Sequence, residues 1–327
     1  MILYCYGTRP EYIKIKKIIS LSEDIDHKIL YIEQHSDLVI GNFDYKIRIQ
    51  DGPNRLNSII SSVVESFSKL EIEADYVIVQ GDTASAFAVS VAAKNQKIKV
   101  IHLEAGLRTY DFDNPYPEEI YRQLISRIAD VHFCPTESNK QNLLNEKVGG
   151  EIFVVGNTVL DNLNKGNIEY NNIIPITLHR RENHENIKEW FLEIDELARE
   201  NKNLKFILPI HPNPNVIKHK DVLKFVEVIP PLDHDEFINL IKKCKFIISD
   251  SGGIQEEASF LSKKVIVCRK ITERTESIGN SSFLCDSPKK LKSIFNMINN
   301  DYILNYESPY GDGKSSEKII EIIKKLK

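Results

Sequence analysis

Short apolar, β-branched runs alternate with longer stretches of helical character along most of this chain. In the first half the runs are "MILYCY", "HKILYIE", "DYVIVQ", "KVIHLE", "VHFCP" and "EIFVVG". In the second half they are "IPITLH", "LKFILPI", "FVEVIP", "KFIISD" and "KVIVCR". Their alternation with helices predicts parallel sheets with right-handed crossovers, the doubly wound α/β architecture. Two series predict two Rossmann-like domains. The join falls near "LNKGNIEYNNIIP", residues 163–175, a polar stretch that contains Gly166 and ends in Pro175. A length of 327 residues suits two domains of about 150 each. The predicted domains are 1–165 and 166–311.

In open α/β sheets, ligands bind beyond the carboxyl ends of the strands, so the residues just after each run are informative. After "ILYCY" comes "GTRPEYIK", after "VIVQ" comes "GDT", and after "VIH" comes "LEAGLRT". In the second half "ITL" leads to "HRREN", "ILPI" to "HPNP" and "IIS" to "DSGGIQEE". Nearly every strand end carries Gly, His, Arg or a carboxylate, a convergence that points to a polar, anion-binding site.

"DSGGIQEE" reads as strand, glycine turn, helix. Gly252 and Gly253 let backbone approach a ligand, and free N–H groups at a helix start attract an anion. Ser251 adds a hydroxyl, and Glu257, one turn in, can accept from sugar hydroxyls. A tight turn with dipole-favoured glutamates fits the same letters. "GTRPEYIK" has similar logic, with Arg9 as an anion clamp and Lys14 on the emerging helix; a surface pair is the alternative. Asp82, Glu104, Glu118 and His179 are acid/base candidates, because carboxylates gathered in one cleft raise one another's pKa; each taken singly would also suit a cap or a loop salt bridge. No GxGxxG comes after the first strand, so a dinucleotide cofactor is not expected. "HRRENHEN" lacks HExxH and a third ligand in register, so no metal is expected. "SPYGDGKS" lacks the first glycine of a P-loop and has no strand before it.

Charge removes other classes. With 43 basic and 47 acidic residues the net charge is −4, which gives no electrostatic footprint for nucleic acid. No apolar stretch approaches the ~20 residues of a membrane span, and "MILYCY" opens directly into a strand, which predicts a cytoplasmic protein. Five cysteines without CxxC spacing predict buried free thiols.

The motifs "GTRPEYIK", "QGDT", "HLEAGLRT", "PYPEE", "GNTVLDNL", "HRREN", "HPNP", "DSGGIQEE" and "TERTE" occur here in the order seen in non-hydrolysing UDP-N-acetylglucosamine 2-epimerases, and the resemblance runs from residue 3 to 319. It implies the GT-B type: two Rossmann-like domains with an interdomain cleft, the C-terminal helix (about 312–327) packing back on the first domain. The implied activity converts UDP-GlcNAc to UDP-ManNAc by eliminating UDP and adding it back to 2-acetamidoglucal. A homodimer without cofactor is implied. Asp82, Glu104 and Glu118 then resemble the acid/base carboxylates, and His179 a stabiliser of the departing diphosphate or a proton-transfer partner. Arg9 and Lys14 would face the phosphates or the reacting sugar. Ser251, Gly252 and Gly253 would hold the diphosphate, Glu257 the ribose and Phe237 the uracil, with His211 and Arg274 at further contact positions.

The sequence departs from the family pattern at Tyr121, where asparagine is usual, at Thr275 for proline and at Pro212 for leucine. Segment 36–57 is shortened. Gln34 and His35 match the region where bacterial members bind an allosteric UDP-GlcNAc, but Asp37 replaces the second glutamine, which argues against such activation. Within the family, a modified UDP-2-acetamido sugar (uronic or 6-deoxy) is the alternative substrate. A hydrolysing epimerase would release ManNAc and UDP. A GT-B glycosyltransferase shares the phosphate clamp but gives no reason for three gathered carboxylates, and a catalytically dead sensor gives none for intact acid/base positions.

Overall fold

The computed structural model describes residues 1–34 and 41–326. The chain divides into two compact units, residues 1–162 with 311–327, and residues 163–310. His35 and Asp37, which bear on allosteric activation, lie outside the described residues.

The first unit contains β1 (Ile2–Tyr6), β2 (His27–Glu33), β3 (Tyr45–Arg48), β4 (Tyr76–Gln80), β5 (Lys99–Leu103), β6 (Val131–Cys134) and β7 (Glu151–Val154). They form one sheet in the order β3-β2-β1-β4-β5-β6-β7, every pair parallel. The second unit contains β8 (Ile173–Thr177), β9 (Lys205–Pro209), β10 (Glu227–Ile229), β11 (Ile247–Ser249), β12 (Val265–Val267) and β13 (Ser282–Leu284). Their order, β10-β9-β8-β11-β12-β13, repeats the first six of unit one. In each unit the strand order reverses once, between β1 and β4 and between β8 and β11, and a crevice opens there beyond the strand ends.

Successive side chains point to opposite faces, and burial of both faces explains why the runs are largely apolar. Along β1, Leu3 and Cys5 pack into one core with Val77 and Val79. Ile2, Tyr4 and Tyr6 pack into the opposite core with Ile78, Ile101 and Leu103. The helix Ser315–Ile323 joins this second core through Ile319, Ile320 and Ile323, the i, i+1, i+4 stripe of an amphipathic helix. Unit two is built alike: Ile174, Ile176, Ile248 and Ile266 face one core, Ile247, Val265 and Val267 the other.

Two strands are not announced by the sequence pattern. β3 has four residues with only Ile47 buried, and β13 has three, the first of them the polar Ser282. Both are edge strands, so only one flank needs a partner and no long apolar run is required. All five cysteines are buried and free. Among the described residues no helix is long and apolar enough to cross a membrane. The P-loop lookalike leads into the helix Ser315–Ile323, where the first two amides donate to the Asp161 carboxylate at 2.9 and 2.5 Å. An internal anion therefore occupies that helix start.

Candidate functional site

In unit one, Lys14, Asp82 and Glu104 stand beyond the carboxyl ends of β1, β4 and β5. Gly7 follows β1, and Thr8 caps the helix Arg9–Ser20 by accepting from the Glu11 amide. The Glu11 carboxylate accepts from the Gly7 amide at 2.9 Å and from the hydroxyls of Thr8 and Thr83. Burial raises its pKa, and those donors offset part of the rise. It ties the turns after β1 and β4 together. Lys14, one turn further along the same helix, donates to Glu104 Oε2 at 2.5 Å. Arg9 is exposed and forms no ion pair among the described residues.

Glu104 comes directly after β5 and adopts φ +61°, a left-handed conformation that is unfavourable for a side chain with a Cβ and recurs at functional sites. Donors hold it there: Lys14 and Gln80 Nε2 on Oε2, Asn157 Nδ2 on Oε1. Its side chain is 8% exposed, so these bonds act in a low dielectric. Asp82 comes after Gly81, whose φ of +68° makes the turn after β4, and it accepts from Arg122. His102, fully buried on β5, donates through Nε2 to the Gly81 carbonyl at 2.8 Å. Burial pushes its pKa down to about 3, which keeps the ring neutral. Glu118 opens the helix Glu118–Ile128, one turn before Arg122. Its neighbour Glu119 is engaged structurally, accepting from the amides of Thr109 and Tyr110. Tyr121 stacks on Phe87 at 5.3 Å and 14°, so this departure from the family pattern fills core space.

In unit two, His179 follows β8, and Asp250 with Ser251, Gly252 and Gly253 follows β11. Asp250, fully buried after β11, accepts through Oδ2 from the amides of His179 (2.9 Å) and Arg180 (2.8 Å) and from Asn183 Nδ2 (3.0 Å). Its Oδ1 lies 3.9 Å from His179 Nδ1. Burial lowers the His179 pKa, with Asp250 opposing that shift. The His179 ring stacks on His211 at 4.9 Å and 16°, and His211 Nδ1 accepts from the Asn213 amide at 3.2 Å.

Ser251, Gly252 and Gly253 form the start of the helix Gly252–Phe260, and the Ser251 side chain makes no capping bond. A Cβ on Gly252 would lie 2.5 Å from Arg274 Nη1, whereas one on Gly253 would meet nothing within 4 Å. Arg274 is buried below the turn, paired with Glu256 (2.7 Å) and Glu273. Arg269 extends this network to Glu273 at 3.0 Å and Glu182 at 2.7 Å. Glu257 Oε1 is 2.8 Å from His234 Nε2. Phe237 is half-buried in the cluster that contains Ile254 and Ala258.

Gln80, Arg122, Asn157, Asp250 and His234 were not singled out from the sequence. Asp250, Gln80 and Asn157 stand within the quoted motifs, and Arg122 is four residues after Glu118. For His234 the signal was its place behind Asp233, the N-cap of a capping box.

The family model described as UDP-N-acetylglucosamine 2-epimerase matches residues 16–324. A UDP-N-acetylglucosamine 2-epimerase of Neisseria meningitidis serogroup A is 37% identical over 99% of each chain. One of Campylobacter jejuni is 35% identical over 100% of this chain and 98% of its own. The crystal structure of UDP-GlcNAc 2-epimerase from Neisseria meningitidis bound to UDP-GlcNAc matches with TM-score 0.89 at 35% identity, covering 99% of this chain and 100% of that one. Acinetobacter baumannii MurG, at TM-score 0.56 and 11% identity over 99% of both chains, shares the fold alone.

Proposed function

The chain belongs to the UDP-N-acetylglucosamine 2-epimerase family, and from that premise we propose that it inverts C2 of UDP-GlcNAc to give UDP-ManNAc without hydrolysis. H2 is not adjacent to a carbonyl, so simple deprotonation would leave an unstabilised carbanion. In the proposed reaction a base removes H2, the C1–O bond to the diphosphate breaks, and a C1=C2 double bond forms. The products of this half are UDP and 2-acetamidoglucal. Return of a proton to the other face of C2 and of the diphosphate oxygen to C1 completes the inversion.

Two proton carriers are needed, one for each face, and the carboxylates Asp82, Glu104 and Glu118 supply them. The single observation that carries this reading is the treatment of Glu104: a left-handed backbone and three side-chain donors hold one carboxylate in a fixed position. Such preorganisation is what proton transfer at a defined face requires. Lys14 and Arg9 serve the reacting sugar or the phosphates. The departing diphosphate is held by Ser251 and the amides of Gly252 and Gly253, assisted by His179 and its neighbour His211. Glu257 accepts from the ribose, Phe237 covers the uracil, and Arg274 supports the glycine turn from beneath. A homodimer, from the family resemblance, and a cytoplasmic location, from the sequence, complete the proposal.

Proton NMR of the protein with UDP-GlcNAc in D2O tests it. UDP-ManNAc carrying deuterium at C2 is the expected product. Free ManNAc with UDP would replace the proposal by hydrolysis. UDP binding without turnover would move the substrate to another UDP-2-acetamido sugar.

A further inference from the structure

His234 begins the helix His234–Lys243 and reaches Glu257, on the helix Gly252–Phe260, with 2.8 Å between Nε2 and Oε1. A carboxylate oxygen only accepts, so the ring nitrogen donates. The Glu257 side chain is 8% exposed and the imidazole 30%. The bond is therefore shielded on the carboxylate side and open to water on the ring side. Phe237, three residues later and so on the same helical face, packs against the cluster that includes Ile254 and Ala258 of the helix that carries Glu257. His234 and Phe237 thus address the same neighbour, the helix whose first turn is the candidate phosphate site.

A ribose presents two adjacent hydroxyls, and one carboxylate can accept from both only if it is held from rotating. We propose that His234 is a positioning residue for the nucleoside of the UDP-sugar: by donating to Oε1 it locks the Glu257 carboxylate for the ribose, and it makes nucleotide affinity, not turnover, depend on pH. This rests on the assignment of Glu257 to the ribose under the proposed function.

The charged groups facing the ring are Glu257 from the neighbouring helix and, on its own helix, Asp235, whose Oδ1 lies 3.7 Å from Nδ1 and is almost fully exposed. The hydrogen bond with Glu257 is the main cause that raises the imidazole pKa above its ordinary 6.5; burial opposes it. Below that raised value the cation holds Glu257 by charge and adds positive potential for an anionic ligand. Above it the neutral ring keeps the hydrogen bond and loses the charge. Affinity for UDP therefore falls as pH rises through a value above 6.5.

The test is calorimetry with UDP and steady-state kinetics from pH 6 to 9 on the full chain, for wild type, His234→Gln and His234→Phe, each checked by thermal melting. The wild-type Kd for UDP should rise several-fold across this range. The Gln variant, a donor without charge, should bind at the wild-type high-pH level throughout. The Phe variant should bind about tenfold more weakly than wild type at pH 6, with KM raised in parallel and kcat within about twofold. If the Phe variant does not fold, the Gln comparison decides alone. A flat wild-type profile, unchanged affinity in the variants, or a fall in kcat at constant KM would overturn the inference. Wild type that binds no UDP at any pH would overturn this inference and the reading of the site together.

Discussion

The crevices of the two units share a strand order and differ in chemistry. At β1/β4 two carboxylates are fixed by donors: Glu104 by Lys14, Gln80 and Asn157, Asp82 by Arg122. At β8/β11 the carboxylate that follows the strand, Asp250, is buried and turned inward to hold backbone amides. What faces outward there is a glycine helix start and a stacked pair of imidazoles. Under the proposed function the first crevice moves protons, which calls for carboxylates held in place, and the second grips a diphosphate, which calls for donors. One backbone plan serves both because topology sets where a crevice opens and side chains set what it does.

Three experiments press on this contrast. The largest effect is expected for Asp82→Asn, which keeps shape and removes one of the three proposed acid/base carboxylates: kcat should fall by about 10²–10⁴, with UDP affinity by calorimetry within about threefold. Activity surviving this change would break the division of labour. Next comes Gly252→Ala against Gly253→Ala. The first pushes a methyl onto a guanidinium that is itself clasped by Glu256 and Glu273, and should cost about 1–3 kcal/mol of stability in urea melts. The second should stay within about 0.5 kcal/mol. Equal losses would mean that Arg274 does not brace the turn.

The smallest effect concerns His102, whose folded-state pKa of about 3 lies below the ordinary 6.5. Its contribution is full above 6.5 and declines as pH falls toward 3, because the unfolded chain binds a proton that the folded one refuses. Between pH 6.5 and 5.5 the wild type should lose about 1 kcal/mol through this residue. His102→Gln, able to donate to Gly81 without titrating, should show a curve flatter by that amount. Parallel curves would remove His102 from the support of the Asp82 turn.

The strands that carry both sites were legible because both their faces are buried, which writes a continuous apolar run into the sequence. β3 and β13 were not, since a short edge strand is satisfied by one neighbour. Asp82, Glu104, His179 and Gly252 were legible as residues just past strand ends. Their partners were less so. Arg122 is forty residues from Asp82, and Glu257 is twenty-three from His234. Nothing local in a sequence marks which distant cation a carboxylate will meet.

The sequence by itself therefore determined the alternation of strands and helices, the two-unit plan, and the residue types at each strand end, because periodicity and turn chemistry are local properties of the chain. The tertiary structure decided that Asp250 turns inward, that Arg274 lies buried under Gly252, that Glu104 is strained and triply held, and that His234 reaches Glu257. Each depends on the distance between elements far apart in the chain, and burial decides there which polar groups must find one another.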